Sequence, residues 1–165
     1  MIAVYPGSFD PVTIGHMDII QRAAAIFDKV CVVVMINPQK NPVFSPEERV
    51  NMLKRTVGHI ENVEITSSDG LLIDFAAKKG AGVIVKGLRA VSDYEYEFQM
   101  ALANRHLCPN IETVFLTTSA ENMFLSSSVV KQIAKFGGDI SSFVPPEVCG
   151  DIAERLNNYA KENAK

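Results

Sequence analysis

Short apolar runs alternate with longer segments of helical periodicity along the chain. The run from Val30 to Ile36 is continuous and rich in valine, which is typical of a parallel strand buried on both faces. Apolar residues between Ile14 and Phe27 recur at the spacing of one helix face. The alternation predicts strands at 1–5, 30–36, 63–66, 83–86 and 113–117, and helices at 14–27, 71–79, 92–107, 126–136 and 145–159.

Local signals predict one more helix and the end of another. Ser45 is suited to cap a helix, with Pro46 in its first position and Glu48 completing a capping box. Apolar residues then recur at helical spacing as far as Val57. Gly80 is expected to end the helix before it.

The order of elements predicts the fold class. Strands separated by helices imply right-handed crossovers, so we expect an α/β fold with one doubly wound, mostly parallel five-stranded sheet and helices on both faces. No linker or repeat divides the sequence, so we expect 1–165 to form a single domain, with a closing helix at about 145–160 and a frayed tail at 161–165. Such sheets bind ligands beyond the carboxyl ends of their strands.

Composition excludes several classes of function. The chain has 16 Lys and Arg and 19 Asp and Glu, giving a net charge of −3 and a pI near 5.6, which argues against a broad basic face for nucleic acid. No apolar run is long enough to cross a membrane, and the first residues lack the basic segment of a secretory signal. Cys31, Cys108 and Cys149 form no Cys-x-x-Cys pair, so we expect inert thiols. We expect a cytoplasmic protein without membrane or nucleic-acid partners.

The loop after the first strand carries candidate chemistry. Gly7 is expected to let the backbone approach a ligand, and Ser8 supplies a hydroxyl. Thr13 can cap the next helix and so places Gly15 and His16 in its first turn, where free amides and the helix dipole favour an anion. His16 can donate a hydrogen bond to a phosphate there. The alternative is a surface histidine on an ordinary loop.

Basic residues follow the second and fourth strands. Lys40 is either a phosphate clamp or a solvated loop lysine. Lys86 and Arg89 flank Gly87, an arrangement suited to a polyphosphate, and the alternative is a turn with exposed basic residues.

Three further segments have a structural interpretation, and the first of them also has a functional one. Ser126, Ser127 and Ser128 open a helix and offer three hydroxyls to a phosphate, where plain capping would need only one. The turn at Asp69 is interpreted as an Asx cap followed by core leucines, with Leu71 in the core. The acidic residues 93–97 are interpreted as a solvated helix face.

Four ordered motifs carry a resemblance to a known family. Residues 13–16, Thr-Ile-Gly-His, match the T/H-x-G-H signature of the nucleotidyltransferase superfamily, and residues 5–11, Tyr-Pro-Gly-Ser-Phe-Asp-Pro, resemble the bacterial phosphopantetheine adenylyltransferases. Three further segments match in the same order, at 37–49, 86–97 and 124–128, so the resemblance extends over nearly the whole chain.

The resemblance implies a fold, a reaction and an assembly. The fold is the Rossmann-like nucleotidyltransferase fold. The reaction is transfer of the adenylyl group of ATP to 4′-phosphopantetheine, by in-line attack without a protein general base, giving dephospho-CoA and pyrophosphate in coenzyme A biosynthesis. Mg²⁺ is expected to arrive with ATP rather than on protein ligands. A homohexamer is implied, and coenzyme A is a candidate feedback ligand.

Site residues carried over from the resemblance fall into three sets. The catalytic pair is His16 and Lys40. The acceptor is expected to contact Ser8, Lys40, Leu72 and Lys86. ATP is expected to contact Ser8, Phe9, His16, Gly87, Leu88, Arg89, Glu97, Asn122, Met123, Phe124, Leu125, Ser126, Ser127 and Ser128.

Two positions depart from the family's pattern, and one carries two interpretations. Lys86 stands where arginine is usual and loses the bidentate fork. Asn122 stands where relatives often have an aromatic residue, so adenine stacking is absent or comes from another residue. Glu97 is expected either to accept hydrogen bonds from a ribose or to orient Arg89.

Two alternative functions stay open at this level. One is a nucleotidyltransferase that acts on nicotinate mononucleotide or glycerol 3-phosphate, and segment 72–89 would discriminate it. The other is a nucleotide sensor without turnover. His16 and Lys40 argue against a sensor, because binding alone does not need them at the α-phosphorus.

Overall fold

The computed structural model describes residues 1–37 and 41–162. They form five strands, six α-helices and one short 3₁₀ turn. The strands are β1 (Ile2–Gly7), β2 (Lys29–Met35), β3 (Val63–Ser68), β4 (Val83–Leu88) and β5 (Glu112–Thr117). The helices are α1 (Ile14–Ile26), α2 (Pro46–Val57), α3 (Leu72–Lys78), α4 (Val91–Leu107), α5 (Ser127–Lys135) and α6 (Pro146–Glu162), and the 3₁₀ turn is Ala120–Asn122.

All described strand pairs are parallel, in the order β3-β2-β1-β4-β5. The chain winds outward from β1 to β3, then returns to place β4 on the other side of β1. Strand order therefore reverses between β1 and β4, where a crevice opens at the carboxyl ends of a doubly wound sheet. The predicted α/β class is confirmed.

The sheet is buried on both faces by two apolar clusters. Val30, Val32 and Val34 face the larger cluster, which α1, α2, α5 and α6 complete, whereas Cys31 and Val33 face a smaller cluster that includes α3. This alternation explains why β2 is a continuous apolar run rather than an alternating one. Burial raises the pKa of the Cys31 thiol, as expected of an inert cysteine.

Several local predictions can be compared with the structure. The Ser45 capping box is confirmed: the Glu48 amide donates to Ser45 Oγ at 3.2 Å, and the Ser45 amide donates to Glu48 Oε2 at 2.7 Å. The Asx cap at Asp69 is wrong, since α3 is capped by Leu71 without a side-chain hydrogen bond. Leu71 is also 62% exposed and so lies outside the core. No helix in the described ranges is both long and apolar enough to span a membrane.

Gly7 is required by packing within the protein. A Cβ built on Gly7 would lie 2.7 Å from the ring of Phe9. That ring is only 1% exposed and follows a backbone with φ of 49°, so it has no room to retreat. Packing inside the protein therefore requires glycine here, and the approach of a ligand to its backbone stays a prediction.

We expect Gly7→Ala to lower the free energy of unfolding by about 1–3 kcal/mol, because the added methyl group overpacks a rigid aromatic contact. Urea unfolding of the variant and wild type measures the difference. Gly70→Ala is the matched control, since nothing lies within 4 Å of a Cβ built there. Equal midpoints for Gly7→Ala and wild type would contradict the steric explanation.

Candidate active site

The candidate site lies at the carboxyl ends of β1 and β4, bordered by the first turns of α1 and α5. This is the point at which strand order reverses. The described segments bring together His16 from α1, Arg89 from the end of β4 and the carbonyl of Leu125 from the segment before α5.

The imidazole of His16 is fixed by the cap of its own helix. Thr13 caps α1, and the Thr13 backbone N–H donates to His16 Nδ1 at 3.0 Å. A ring nitrogen that accepts a hydrogen bond carries no proton, so the proton of the neutral ring is on Nε2. The site therefore contains an Nε2–H donor whose orientation is set by the backbone.

Burial keeps His16 neutral. Withdrawal of the ring from water, followed by the positive charge of Arg89, lowers the pKa of His16 to about 4. The ring also packs edge-to-face on Phe9, with centroids 5.0 Å apart. At pH 7 His16 is thus an uncharged hydrogen-bond donor rather than a cation or a strong base.

Phe9 and Ser8 are placed differently from each other. The Phe9 side chain is buried, so any contact of this residue with ATP is made by its main chain. Ser8 is exposed, and its carbonyl accepts a hydrogen bond from Arg49 Nη1 at 2.9 Å.

Arg49, which is not among the predicted site residues, is only 3% exposed and also donates to the Ser45 carbonyl. It joins α2 to the loop after β1.

Asp10 is a second buried charge that sequence reasoning missed. Its carboxylate accepts from the amides of Val43 and Phe44 at 3.2 and 2.9 Å and from Lys131 Nζ at 2.8 Å. Asp10 thereby links the loop after β1 to the segment before α2 and to α5. The signal in the sequence is an acid within the otherwise uncharged segment 5–17.

The cations of β4 are each held by an acid of α4. Arg89 Nε and Nη2 donate to the Asp93 carboxylate at 3.1 and 3.3 Å, and Nη1 donates to the Leu125 carbonyl at 3.1 Å. Lys86 Nζ instead lies 3.1 Å from Glu97 Oε2. Asp93, interpreted as part of a solvated face, therefore orients Arg89, and the alternative in which Glu97 orients it is wrong.

Gly87 and Leu88 lie within β4 rather than in a turn. A Cβ on Gly87 would come within 3.1 Å of Ile19, so this glycine leaves room for α1 against the sheet. The Leu88 carbonyl accepts from the amide and hydroxyl of Thr118 at 2.9 and 3.1 Å. Packing against α1 is therefore one requirement for glycine at this position, and the contact of Gly87 with a polyphosphate stays a prediction.

The three serines before and within α5 do not offer three equivalent hydroxyls. Ser126 Oγ accepts from the Val129 amide at 3.1 Å and keeps its own hydrogen for a ligand. Ser127 Oγ donates to the Pro11 carbonyl at 2.8 Å. The donor of Ser127 is therefore used within the protein, which leaves Ser126, Ser128 and the first amides of α5 as candidate phosphate donors.

The segment before α5 and the acceptor side complete the predicted set. Asn122 Nδ2 donates to Ser119 Oγ at 2.8 Å, whereas Met123 and Phe124 are exposed and Leu125 is buried. Leu72 is half-buried at the start of α3, after the edge strand β3, about 10 Å across the sheet from β1. Lys40 lies outside the described residues.

The arrangement suits anion binding better than acid–base catalysis. Among the described residues, the polar partner of the His16 ring is Thr13 rather than a carboxylate, so the ring lacks the partner that would make it a strong base. The same residues contain no group of three or more His, Cys, Asp or Glu that could hold a metal ion.

Comparisons with known proteins define the class first. The cytidylyltransferase-like family model matches residues 4–133. The structure of a nicotinic acid mononucleotide adenylyltransferase from Plasmodium falciparum, complexed with NaAD, matches with a TM-score of 0.67 over 99% of this chain and 98% of that chain, at 15% identity. The fold is thus that of the Rossmann-like nucleotidyltransferases, and the chain is a nucleotidyltransferase.

Curated relatives define the family. A phosphopantetheine adenylyltransferase from Heliobacterium modesticaldum is 55% identical over 163 residues, covering 99% of this chain and 97% of its own. One from Alkaliphilus metalliredigens is 58% identical over 154 residues, covering 93% of this chain and 98% of its own. The chain belongs to the phosphopantetheine adenylyltransferase family, which confirms the resemblance seen in its motifs.

Proposed function

We propose that this chain transfers the adenylyl group of ATP to 4′-phosphopantetheine and releases dephospho-CoA and pyrophosphate. The observation that carries adenylyl transfer is the neutral His16, whose Nε2–H is set by the Thr13 amide beside the charge of Arg89. The choice of acceptor rests on the close relatives named phosphopantetheine adenylyltransferase.

The mechanism needs no protein base. The terminal phosphate of the acceptor has its second pKa near 6, so it is largely ionised at pH 7 and attacks the α-phosphorus of ATP directly. The acceptor oxygen bonds to the α-phosphorus as the bond to pyrophosphate breaks. Catalysis is then a matter of alignment and of stabilising negative charge on the equatorial oxygens.

The proposed donors are fixed before ATP arrives. His16 Nε2–H donates to an oxygen of the α-phosphoryl group, and Lys40, which lies outside the described residues, is proposed to contact the transferring phosphates. Arg89, held by Asp93, binds the phosphate chain. The first amides of α5, with the hydroxyls of Ser126 and Ser128, are placed at a helix N-terminus that favours an anion.

The remaining residues of the predicted site are also proposed to contact ATP or the acceptor. ATP is proposed to contact the main chain of Phe9, residues 122–128, and Gly87, Leu88, Arg89 and Glu97. The acceptor is proposed to use Ser8, Lys40, Lys86 and Leu72. Lys86 is paired with Glu97 in the described structure. Lys86 can therefore bind the acceptor as a free cation only after it separates from Glu97.

A divalent metal, with Mg²⁺ as the preferred ion, is proposed to accompany ATP. As the family resemblance implies, the ion is proposed to be held chiefly by phosphate oxygens and water. When bound, such an ion neutralises charge on the leaving pyrophosphate. Orientation of the α-phosphoryl group stays with His16 and Arg89.

Helix α4 supports the proposed homo-oligomer, a hexamer. Large exposed apolar patches mark interaction surfaces, and α4 exposes seven apolar side chains, at 40–82%: Val91, Tyr94, Tyr96, Phe98, Met100, Leu102 and Leu107. We also propose coenzyme A as a feedback ligand of the candidate active site, because it consists of the acceptor arm joined to an adenine nucleotide. We propose the cytoplasm as the location.

We expect Leu102→Glu to convert the assembly into smaller species, because it buries a charge in an apolar contact. Sedimentation velocity of wild type and variant measures the change. His59→Glu, at an exposed histidine outside α4, is the control for added charge. A wild-type monomer, or an intact assembly in Leu102→Glu, would contradict an α4 interface.

A panel of acceptors tests the proposed substrate. Pyrophosphate release is measured with 4′-phosphopantetheine, nicotinate mononucleotide and glycerol 3-phosphate at equal ATP concentrations. We expect kcat/KM to be far higher for 4′-phosphopantetheine, because binding of its remote arm helps to align the reacting phosphate. Equal values would contradict the acceptor while sparing the nucleotidyltransferase class.

A further inference from the structure

The hydroxyl of Tyr5 is a buried polar group for which the chemistry above has no use. Tyr5 is 5% exposed, and its ring packs edge-to-face on Phe9 with centroids 5.6 Å apart. Phe9 packs in the same manner on His16. The three rings therefore form one row that reaches the candidate site, with Tyr5 on the central strand.

The surroundings of the hydroxyl are those of the nucleotide site. The charges of Arg89, Asp18 and Glu97 all act on the phenol, and these residues lie just after β4, on α1 and on α4. A Cβ built on Gly87 would lie 3.7 Å from the hydroxyl oxygen. The same Cβ would lie 3.1 Å from Ile19 of α1, so Ile19 and the Tyr5 hydroxyl both border the backbone of Gly87.

The hydroxyl has no hydrogen-bond partner within the described ranges. Among the described residues, Glu97 Oε2 is the fully enclosed side-chain atom that lacks a hydrogen bond, and Tyr5 Oη is not in that group. Tyr5 Oη, which also lacks one, therefore keeps some contact with solvent. Burial raises the pKa of Tyr5, so the phenol is protonated at pH 7 and can donate. An unpartnered donor in this position is costly to the fold and available to a ligand.

We propose that the Tyr5 hydroxyl donates a hydrogen bond to an oxygen of the phosphate chain of the bound nucleotide. The positive charge of Arg89, which acts on the phenol, attracts that oxygen. This inference rests on the proposed function, because it needs a nucleotide at the β1–β4 crevice. It makes Tyr5 a ligand-binding residue whose hydroxyl contributes nothing to the stability of the free protein.

Tyr5→Phe separates the two kinds of role, since it removes one oxygen and keeps the ring. We expect the thermal midpoint of the free variant to equal or exceed that of wild type. We expect its affinity for α,β-methylene-ATP, measured by calorimetry, to fall about tenfold, and its affinity for adenosine to be unchanged. Tyr159→Phe, in which the phenol lies on α6, is the matched control and should bind the analogue as wild type does.

Three results would overturn the inference. Unchanged affinity for the analogue would show that the hydroxyl contacts no phosphate oxygen. A lower thermal midpoint of the free variant would show that the hydroxyl has a partner within the protein. An equal loss for adenosine and the analogue would place the contact on the nucleoside. Wild type that binds no analogue would instead contradict the proposed function, and this inference with it.

Discussion

His16→Ala is expected to lower kcat by about 10²–10³-fold while leaving the affinity for ATP nearly unchanged. The Nε2–H of His16 is aimed by the Thr13 amide and meets negative charge that develops only as the α-phosphoryl group is transferred. Steady-state kinetics with 4′-phosphopantetheine gives kcat, and calorimetry with α,β-methylene-ATP gives the affinity. His59→Ala, at an exposed histidine, is the control and should match wild type.

The pH dependence of the same variant tests the protonation state of His16. Because the pKa of His16 is lowered to about 4, the ring stays neutral throughout pH 6–8, and the ratio of wild-type to variant kcat should be constant over that range. A base titrating near 6.5 would make the ratio fall as the pH drops from 8 to 6. That fall, or a variant that loses ATP binding and keeps kcat, would contradict transition-state stabilisation by His16.

Arg89→Ala is expected to weaken ATP binding by about 10- to 150-fold, which corresponds to loss of a charge-assisted hydrogen bond of about 1.5–3 kcal/mol. Asp93→Ala should weaken it less, because Arg89 keeps its bond to the Leu125 carbonyl and loses only its carboxylate partner. Calorimetry with α,β-methylene-ATP measures both.

The control for this pair lies on α4. Arg105 forms an exposed ion pair with Glu112, away from the described site residues, and Arg105→Ala should bind the analogue as wild type does. If Arg89→Ala also bound it normally, Arg89 would be a structural residue of the β4–α4 junction. If Asp93→Ala lost more affinity than Arg89→Ala, Asp93 would have a role beyond positioning.

The fold was predictable because its signals are local. The valine run of β2 records burial on both faces, and the capping box at Ser45 records the start of α2. Strand ends were less predictable: β4 continues through Gly87 and Leu88, since pairing with β5 outweighs the low strand preference of glycine.

The residues of the site were predictable only in part. The sequence indicated His16 and Arg89 because each lies in a segment that follows a predicted strand and matches a motif of the family. Asp10 and Arg49 act across 33 to 41 residues of sequence, and no local pattern reveals which backbone groups they bind. Gly7 was visible in the sequence, but its reason, the ring of Phe9 over it, needed three dimensions.

The fates of the α- and γ-phosphorus atoms of ATP test the proposed reaction most directly. The purified chain is incubated with 4′-phosphopantetheine, Mg²⁺ and ATP labelled with ³²P at either the α or the γ position, and products are separated. We expect the α label in dephospho-CoA and the γ label in pyrophosphate, in equal molar amounts. Transfer of the γ label to the acceptor, or release of labelled AMP without an acceptor product, would contradict adenylyl transfer to phosphopantetheine.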